Sequence, residues 1–213
     1  MKKLILTSVL TLFCILAFAK KIKGTIFFEE YSIDVVFNIP IDVLFKETMY
    51  NLIQYGVTYY DVAGNSQELK PESVREIRFN YENERIRLVS KYNTLGIGQS
   101  IIDPVNKIFL KLEVDGNVQF MTCFEKPPKN EARNLLPDRT IYSPQSFSFY
   151  SDNCVLQKGN GPLKRMRDLY LKNDLAMFFS DCPTLLNKIE SQRISKTDIK
   201  DLVLFYNNNC CKI

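Results

Sequence analysis

The segment Ile108-Phe109-Leu110-Lys111-Leu112-Glu113-Val114-Asp115-Gly116-Asn117-Val118-Gln119-Phe120-Met121-Thr122-Cys123-Phe124 reads as two strands about a tight turn. Aliphatic and aromatic residues alternate with polar ones on both sides of Asp115-Gly116-Asn117. Successive strand side chains point to opposite faces, so Ile108, Leu110, Leu112 and Val114 share one face, and Val118, Phe120, Thr122 and Phe124 share another. A three-residue loop sets Val114 opposite Val118, Leu112 opposite Phe120 and Ile108 opposite Phe124, so that the apolar faces coincide. A two-residue loop would set Leu112 opposite Gln119 and spoil the match. Asn117 tolerates the left-handed conformation that the longer loop needs. This register sends Met121 and Cys123 to the other face, across from Lys111 and Phe109.

The same habit extends on both sides. Ile33 to Ile39, Val57 to Tyr60 and Val74 to Phe79 are rich in β-branched and aromatic residues. Turn signals stand at Ala63-Gly64-Asn65 and Glu82-Asn83-Glu84, and Pro40 interrupts the early strand region. Val43 to Gln54 has a more helical but ambiguous spacing. After Gly159-Asn160-Gly161-Pro162 the pattern becomes helical, which makes this the best internal boundary. Asn173 reads as the cap of a helix through Phe179, and Pro183 as the first turn of one reaching about Ser191. Ser195 with Asp198 resembles a capping box, with Asp in place of Glu or Gln. Ile199, Leu202, Val203 and Tyr206 form one apolar stripe, a packing face rather than a ligand site, and Asn207 to Asn209 supply the stop. The expected fold class is α+β: an antiparallel sheet or partly closed barrel over residues 20–158, followed by a small C-terminal helical bundle over 159–213.

Residues 1–19 read as a secretory signal peptide. Lys2 and Lys3 give a basic start, Leu4 to Leu16 carry no charge, and Ala17-Phe18-Ala19 is a small-x-small cleavage site. The apolar run is short for a membrane anchor, which needs about 20 residues. Lys20, Lys21 and Lys23 follow at once, and positive charge there tends to resist export. A lipoprotein anchor at Cys14 fails because Phe13 precedes it, where a small side chain is needed. Cleavage between Ala19 and Lys20 removes 19 of the 213 residues and leaves 194, enough for one domain or two tightly joined halves. It also removes two lysines, taking the formal charge from +4 to +2. No strong field results, so a nucleic-acid partner is not expected. The most basic stretch, Lys158, Lys164, Arg165 and Arg167, reads as a solvated face, with contact to anionic polymer or lipid headgroups as the sharper alternative.

Export gives the cysteines an oxidising setting. Five follow the leader: Cys123, Cys154, Cys182, Cys210 and Cys211, an odd number that leaves one thiol unpaired or paired between chains. Two antiparallel helices joined through Gln192 to Lys196 would bring Cys182 close to Cys210 or Cys211, with Cys210 the preferred partner. The alternative is a reactive thiol at Cys182, which stands at a helix N-terminus, but no Cys-x-x-Cys accompanies it. Asp181-Cys182-Pro183-Thr184-Leu185, Phe205-Tyr206-Asn207-Asn208-Asn209-Cys210, and Leu69 to Glu72 with Glu76 to Phe79 together resemble a family of uncharacterised exported proteins of Bacteroidota-type bacteria. The resemblance spans most of the mature chain. It implies a signal peptide, a β-rich front and a helical tail with an Asp-Cys-Pro and a terminal cysteine, and it implies no activity. The doubled Cys210-Cys211 departs from the single terminal cysteine of that pattern.

The chain contains no histidine. Ser-His-Asp and Cys-His nucleophile pairs and His-based zinc sites are therefore excluded. No cysteine spacing suits a metal, and Gly96-Ile97-Gly98 is a lone Gly-x-Gly that reads as a turn rather than a phosphate cradle. No metal, cofactor or catalytic residue is expected. Carboxylate pairs remain, as in glycoside hydrolysis. Glu29-Glu30, placed in the first strand, would point to opposite faces and could not act together. Tyr31, Tyr55, Tyr59, Tyr60, Tyr81 and Tyr92 crowd the β half, as core packing or as an exposed contact surface. The expected function is a non-catalytic envelope protein with a binding or structural role. Its partner would be a protein or glycan in the periplasm or on the surface, with membrane contact only through the uncleaved leader. The alternative is a carboxylate-dependent hydrolase of envelope or extracellular polymers. A cleft of converging Asp and Glu would favour the hydrolase, and a flat aromatic or apolar patch the binding protein.

Overall fold

The computed structural model of the chain describes residues 17–42, 46–97, 106–125 and 151–210. The strands are β1 (Ala17–Phe27), β2 (Ser32–Asp42), β3 (Val57–Tyr60), β4 (Ser66–Leu69), β5 (Glu76–Tyr81), β6 (Glu84–Tyr92), β7 (Lys107–Val114), β8 (Val118–Glu125), β9 (Ser151–Lys158) and β10 (Lys164–Arg165). Among the described residues they form one open sheet of ten strands in the order β10-β9-β8-β7-β6-β5-β1-β2-β3-β4, with every neighbouring pair antiparallel. The helices are α1 (Tyr50–Ile53), α2 (Leu171–Phe178), α3 (Pro183–Ser191) and α4 (Ile199–Asn209). The α+β class and the helical C-terminal region are as the sequence predicts, and the sheet does not close into a barrel.

Alternating apolar residues bury one face of the sheet on two cores. Over β1, β2, β5 and β6, Ile22, Ile26, Phe37, Ile39, Ile77, Phe79 and Ile86 pack with Ile53 of α1. Over β7 to β9, Val114, Val118, Phe120, Cys154 and Leu156 pack against α2, α3 and α4. The sheet centre is covered on its other face too, where Ile108, Leu110, Leu112, Met121, Cys123 and Val155 meet Ile97 and Leu163. The predicted stripe Ile199, Leu202, Val203 and Tyr206 is buried throughout. No helix among the described residues is long and apolar enough to cross a membrane.

The hairpin register differs from the expectation. Val114 faces Phe120, a bulge intervenes at Glu113, and beyond it Leu112 faces Met121 and Lys111 faces Thr122. The physical reason lies 89 residues away in sequence, at Asn207 of α4. The Val118 backbone N–H donates to Asn207 Oδ1 at 2.8 Å, and Asn207 Nδ2 donates to the Val118 carbonyl at 2.8 Å. The side-chain amide thus occupies the place where Val114 would pair with Val118. It fits because Gly116, at φ +150°, has no side chain; a Cβ there would lie 2.4 Å from Asn207 Nδ2. With the bulge, apolar residues of β7 reach both buried faces of the sheet, Leu112 on one and Val114 on the other.

Other expectations are corrected similarly. Pro40 does not interrupt β2; its carbonyl accepts Met49 N–H on the side away from β1, so no ladder donor is missing there. Asn207 to Asn209 are the last residues of α4, which ends at Asn209. After the Gly159 turn, at φ +51°, the short strand β10 returns to pair with β9 before the helices begin. Helix α2 starts at Leu171, so Asn173 is not its cap. Of the Val43 to Gln54 patch only Tyr50–Ile53 is helical, residues 43–45 lying outside the described residues.

Candidate functional site

A cleft of about 630 Å³ opens on the sheet face between α1 and the C-terminal helices. Its floor is Ile86 of β6, Lys111 and Glu113 of β7, Thr122 and Phe124 of β8, and Asp152 of β9. Its wall is the chain from Lys46 to Asn51 together with the β5–β6 turn. That turn carries Glu82 at φ +46° and Asn83 at φ +68°, the left-handed pair that a two-residue hairpin turn uses.

Gln54 positions the wall. It is buried, and its side chain brackets one residue of β8: Phe124 N–H donates to Gln54 Oε1 at 2.9 Å, and Gln54 Nε2 donates to the Phe124 carbonyl at 3.3 Å. The Gln54 carbonyl accepts Phe109 N–H of β7 at 2.8 Å. Phe124 is thereby presented to Tyr50, whose ring stacks on it at 4.9 Å. Burial pushes the Tyr50 hydroxyl up to about 12, against the opposing field of Lys111.

Lys111 lies at the centre. Its ammonium is 2.8 Å from Glu84 and 3.3 Å from Glu113, and sits 5.3 Å from the centre of the Tyr50 ring. Burial works to lower its pKa, but the Glu84 hydrogen bond and the fields of Tyr50, Glu113 and Glu84 outweigh burial and raise it. Thr122 Oγ1 donates a long 3.5 Å bond to Glu113. Asp152 stands at the rim, and desolvation raises its carboxyl pKa, with Lys196 and Lys111 opposing and Glu113 adding to the rise. Among the charged side chains that line the cleft, Asp42, Glu47, Glu82, Glu84, Glu113 and Asp152 are acidic and Lys46 and Lys111 are basic. Among the described residues no three acidic or cysteine side chains gather closely enough to hold a metal ion.

The residues singled out in the sequence lie elsewhere. Cys182 is bridged to Cys210, with Cα atoms 5.7 Å apart, and Cys211 falls outside the described residues. The reactive-thiol alternative is thereby removed. Around the bridge, Tyr206 OH donates to Asp181 Oδ2 at 2.5 Å, and Lys158 reaches Asp181 at 2.8 Å while lying over the Phe178 and Tyr206 rings. The Asp-Cys-Pro and Tyr-Asn-x-x-Cys motifs are thus structural: Asp181 holds Tyr206, Cys182 holds Cys210, and Asn207 holds Val118. Cys123 and Cys154 are buried thiols, and burial pushes Cys123 up to about 11.

The basic stretch is dispersed rather than gathered, with Lys158 on Asp181 and Arg167 on Asp174 at 2.6 Å. Glu29 and Glu30 sit in the β1–β2 turn rather than in the first strand. Ile97 of the Gly-x-Gly turn is a core residue held by Asn93. The tyrosines divide: Tyr31, Tyr55 and Tyr92 are exposed, while Tyr59, Tyr60 and Tyr81 are half-buried. Ala19 lies in β1 opposite Pro40, and Lys20 opposite Ile39. Sequence reading missed Tyr50, Glu84, Lys111, Glu113 and Asp152. A lysine among strand residues reads as solvent-facing, and only the fold brings these five together.

Comparisons with protein-family models, curated proteins and solved structures found no match.

Proposed function

We propose that the chain is an exported, non-catalytic binding protein of the cell envelope, and that the cleft above Lys111 is its binding site for a protein or glycan partner. The observation that carries this reading is the state of the innermost carboxylates. Glu84 and Glu113 are both committed to Lys111, beside a stacked Tyr50–Phe124 pair. Such a cleft offers contact area and a fixed charge pattern, with no activated nucleophile. Export is supported by the leader pattern of residues 1–19 and by the Cys182–Cys210 bridge, which suits an oxidising compartment. The likeness to exported proteins of Bacteroidota-type bacteria belongs to the same reading.

Two measurements test it. N-terminal sequencing of exported protein should begin at Lys20; an intact Met1 in a membrane fraction would show an anchor. Affinity capture from native envelopes, followed by mass spectrometry, should recover a partner with wild-type protein and lose it with Glu47→Lys/Glu82→Lys. Equal recovery by both would place binding away from the cleft.

A second reading has one specific support. Desolvation raises the Asp152 carboxyl pKa, with Glu113 adding to the rise, as suits the acid of a carboxylate hydrolase. By that reading wild-type protein cleaves an envelope polymer, and Asp152→Asn and Glu113→Gln each abolish cleavage. Absence of cleavage by folded wild-type protein across envelope polymers removes it.

A further inference from the structure

We propose that the face of the sheet turned away from the cleft binds a linear anionic glycan, with Arg85, Arg78, Lys23 and Lys21 taking its anionic groups and Asn80 and Asn38 its hydroxyls. The surface is separate from the cleft, so this inference and the binding reading above stand or fall independently.

On β1, β2, β5 and β6 alternate side chains, among them Ile22, Phe37, Phe79 and Ile86, fill the core on which α1 lies. The residues between them point to the other face. Helices α2 to α4 pack elsewhere, over β7 to β9, so among the described residues no helix lies on that face. There Arg85 of β6 stands opposite Asn80 of β5. Asn80 follows Phe79, which faces Gly24, so Lys23 lies beside it on β1. Arg78 is opposite Thr25, the same-face neighbour of Lys23, and Lys21 is opposite Asn38 of β2. Strands are about 4.8 Å apart and same-face neighbours about 7 Å apart along a strand, so basic groups and amides alternate at those intervals.

Lys21, Lys23 and Arg85 are exposed, and among the described residues none of them has an ion-pair partner. Lys21 is backed by the Tyr60 ring, 4.4 Å from its centre. Arg78 is held in one orientation. Its Nε and Nη2 bond Glu76 at 2.6 and 2.9 Å over the Phe27 ring, and its Nη1 has no partner among the described residues. Glu76 is shared with Arg87, which also reaches Asp115, so these four charges cancel and the excess belongs to Lys21, Lys23 and Arg85. Asp34 beside them accepts the Thr25 hydroxyl, and Glu68 is three strands from β1, about 14 Å, beyond a Debye length. The side-chain amides of Asn38 and Asn80 make no hydrogen bond among the described residues, so each offers donors and an acceptor. None of the protein's large exposed hydrophobic side chains stands on this patch. An apolar anchor for a bilayer or for a protein interface is therefore lacking there. Cations alternating with amides complement a polymer that alternates anionic groups with hydroxyls.

The test is calorimetric titration of the full mature chain, at low salt, with decagalacturonate, dextran sulfate, neutral dextran, hexaglutamate and phosphatidylglycerol vesicles. At least one anionic glycan should bind, and added salt should weaken it. Neutral dextran should not bind, and hexaglutamate and the vesicles should bind more weakly than the better glycan. Lys21→Gln/Lys23→Gln/Arg85→Gln should weaken that glycan by about tenfold or more, the scale of one charge-assisted hydrogen bond or more. Lys164→Gln/Arg193→Gln/Lys200→Gln removes the same charge from exposed positions elsewhere and should weaken it far less. Asn38→Ala/Asn80→Ala should weaken it severalfold; circular dichroism verifies that each variant is folded. Failure of both anionic glycans to bind, equal losses in the two folded triple variants, or tighter binding of hexaglutamate or vesicles than of either glycan would overturn the proposal.

Discussion

Replacing Asn207 by alanine should be among the most costly single changes to this fold outside its apolar core. The side chain makes two hydrogen bonds of 2.8 Å, one to the N–H and one to the carbonyl of Val118, a fully buried residue. Alanine leaves both backbone groups without a protein partner. An unsatisfied buried polar group costs about 1–3 kcal/mol, and water reaching the loop would recover part of this, so the expected loss is about 2–4 kcal/mol. For a chain of this size that lowers the thermal midpoint by roughly 4–16 °C. Urea unfolding of the oxidised protein, followed by circular dichroism, measures the loss directly.

Gly116 supplies the control. Its alanine variant places a Cβ 2.4 Å from Asn207 Nδ2 and strains a φ of +150°. In the Asn207→Ala background the clash is gone and only the backbone strain remains. The two losses should therefore fall short of additivity by more than about 1 kcal/mol. A loss below about 0.5 kcal/mol for Asn207→Ala, or strict additivity of the pair, would mean that the amide is not what sets the hairpin register.

Three further outcomes are expected. Cys182→Ser, or reduction of the 182–210 bridge, should cost about 3–4 kcal/mol by the chain-entropy estimate for a loop with a separation of 28; an unchanged urea midpoint under reducing conditions would refute this. Gln54→Leu should release Phe124 from its amide clamp and unstack Tyr50, so the Tyr50 hydroxyl, which burial pushes up, should titrate lower than in the wild type; an unaltered spectrophotometric titration would count against the clamp. Stability should fall as the pH drops below about 4.5. The carboxyls of Glu76, Asp174 and Asp181 are held below their ordinary values, Glu76 and Asp181 by hydrogen bonds that outweigh desolvation and Asp174 chiefly by Arg167. Depressed groups stabilise the fold above their unfolded pKa and lose that contribution as they protonate; a urea midpoint flat down to pH 3 would contradict the assignment.

Local physics made much of this fold legible. Val57–Tyr60 reads as a strand from its β-branched and aromatic content and is one, to the residue. Pro183 opens a helix that ends at Ser191, and the Ser195–Asp198 capping box is present. The Cys182–Cys210 bridge followed from placing both cysteines at neighbouring helix ends. What escaped reading has a common character. The hairpin register was argued from matching apolar faces, but β7 and β8 carry buried apolar residues on both faces, so the match did not fix the register. The deciding contact came from Asn207, read as a mere helix stop. Glycine and proline at 159–162 signalled a turn correctly, and nothing local says that two residues beyond it rejoin the sheet. The cleft escaped because its members come from β6, β7, β8, β9 and α1, each polar side chain looking ordinary within its own strand.

The misread register and the cleft share one origin. Strands β7 and β8 pair only from Lys111–Thr122 to Val114–Phe120. At each end a side-chain amide takes over the ladder, Gln54 at Phe124 and Asn207 at Val118. An amide side chain carries one acceptor and a donor, as a peptide group does, so it continues the hydrogen bonding while holding the strands apart. The two wedges come from opposite sides of the fold: Gln54 follows α1, which packs on the β1–β6 core, and Asn207 belongs to α4, which packs on the β7–β9 core. Each draws its own helical element down onto the sheet at one end of the hairpin. The paired stretch between them, with Lys111 and Thr122, is left as the uncovered floor. The position of the cleft is therefore a consequence of two amides competing successfully with backbone pairing, and the polar groups gathered there lie, among the described residues, between the two cores.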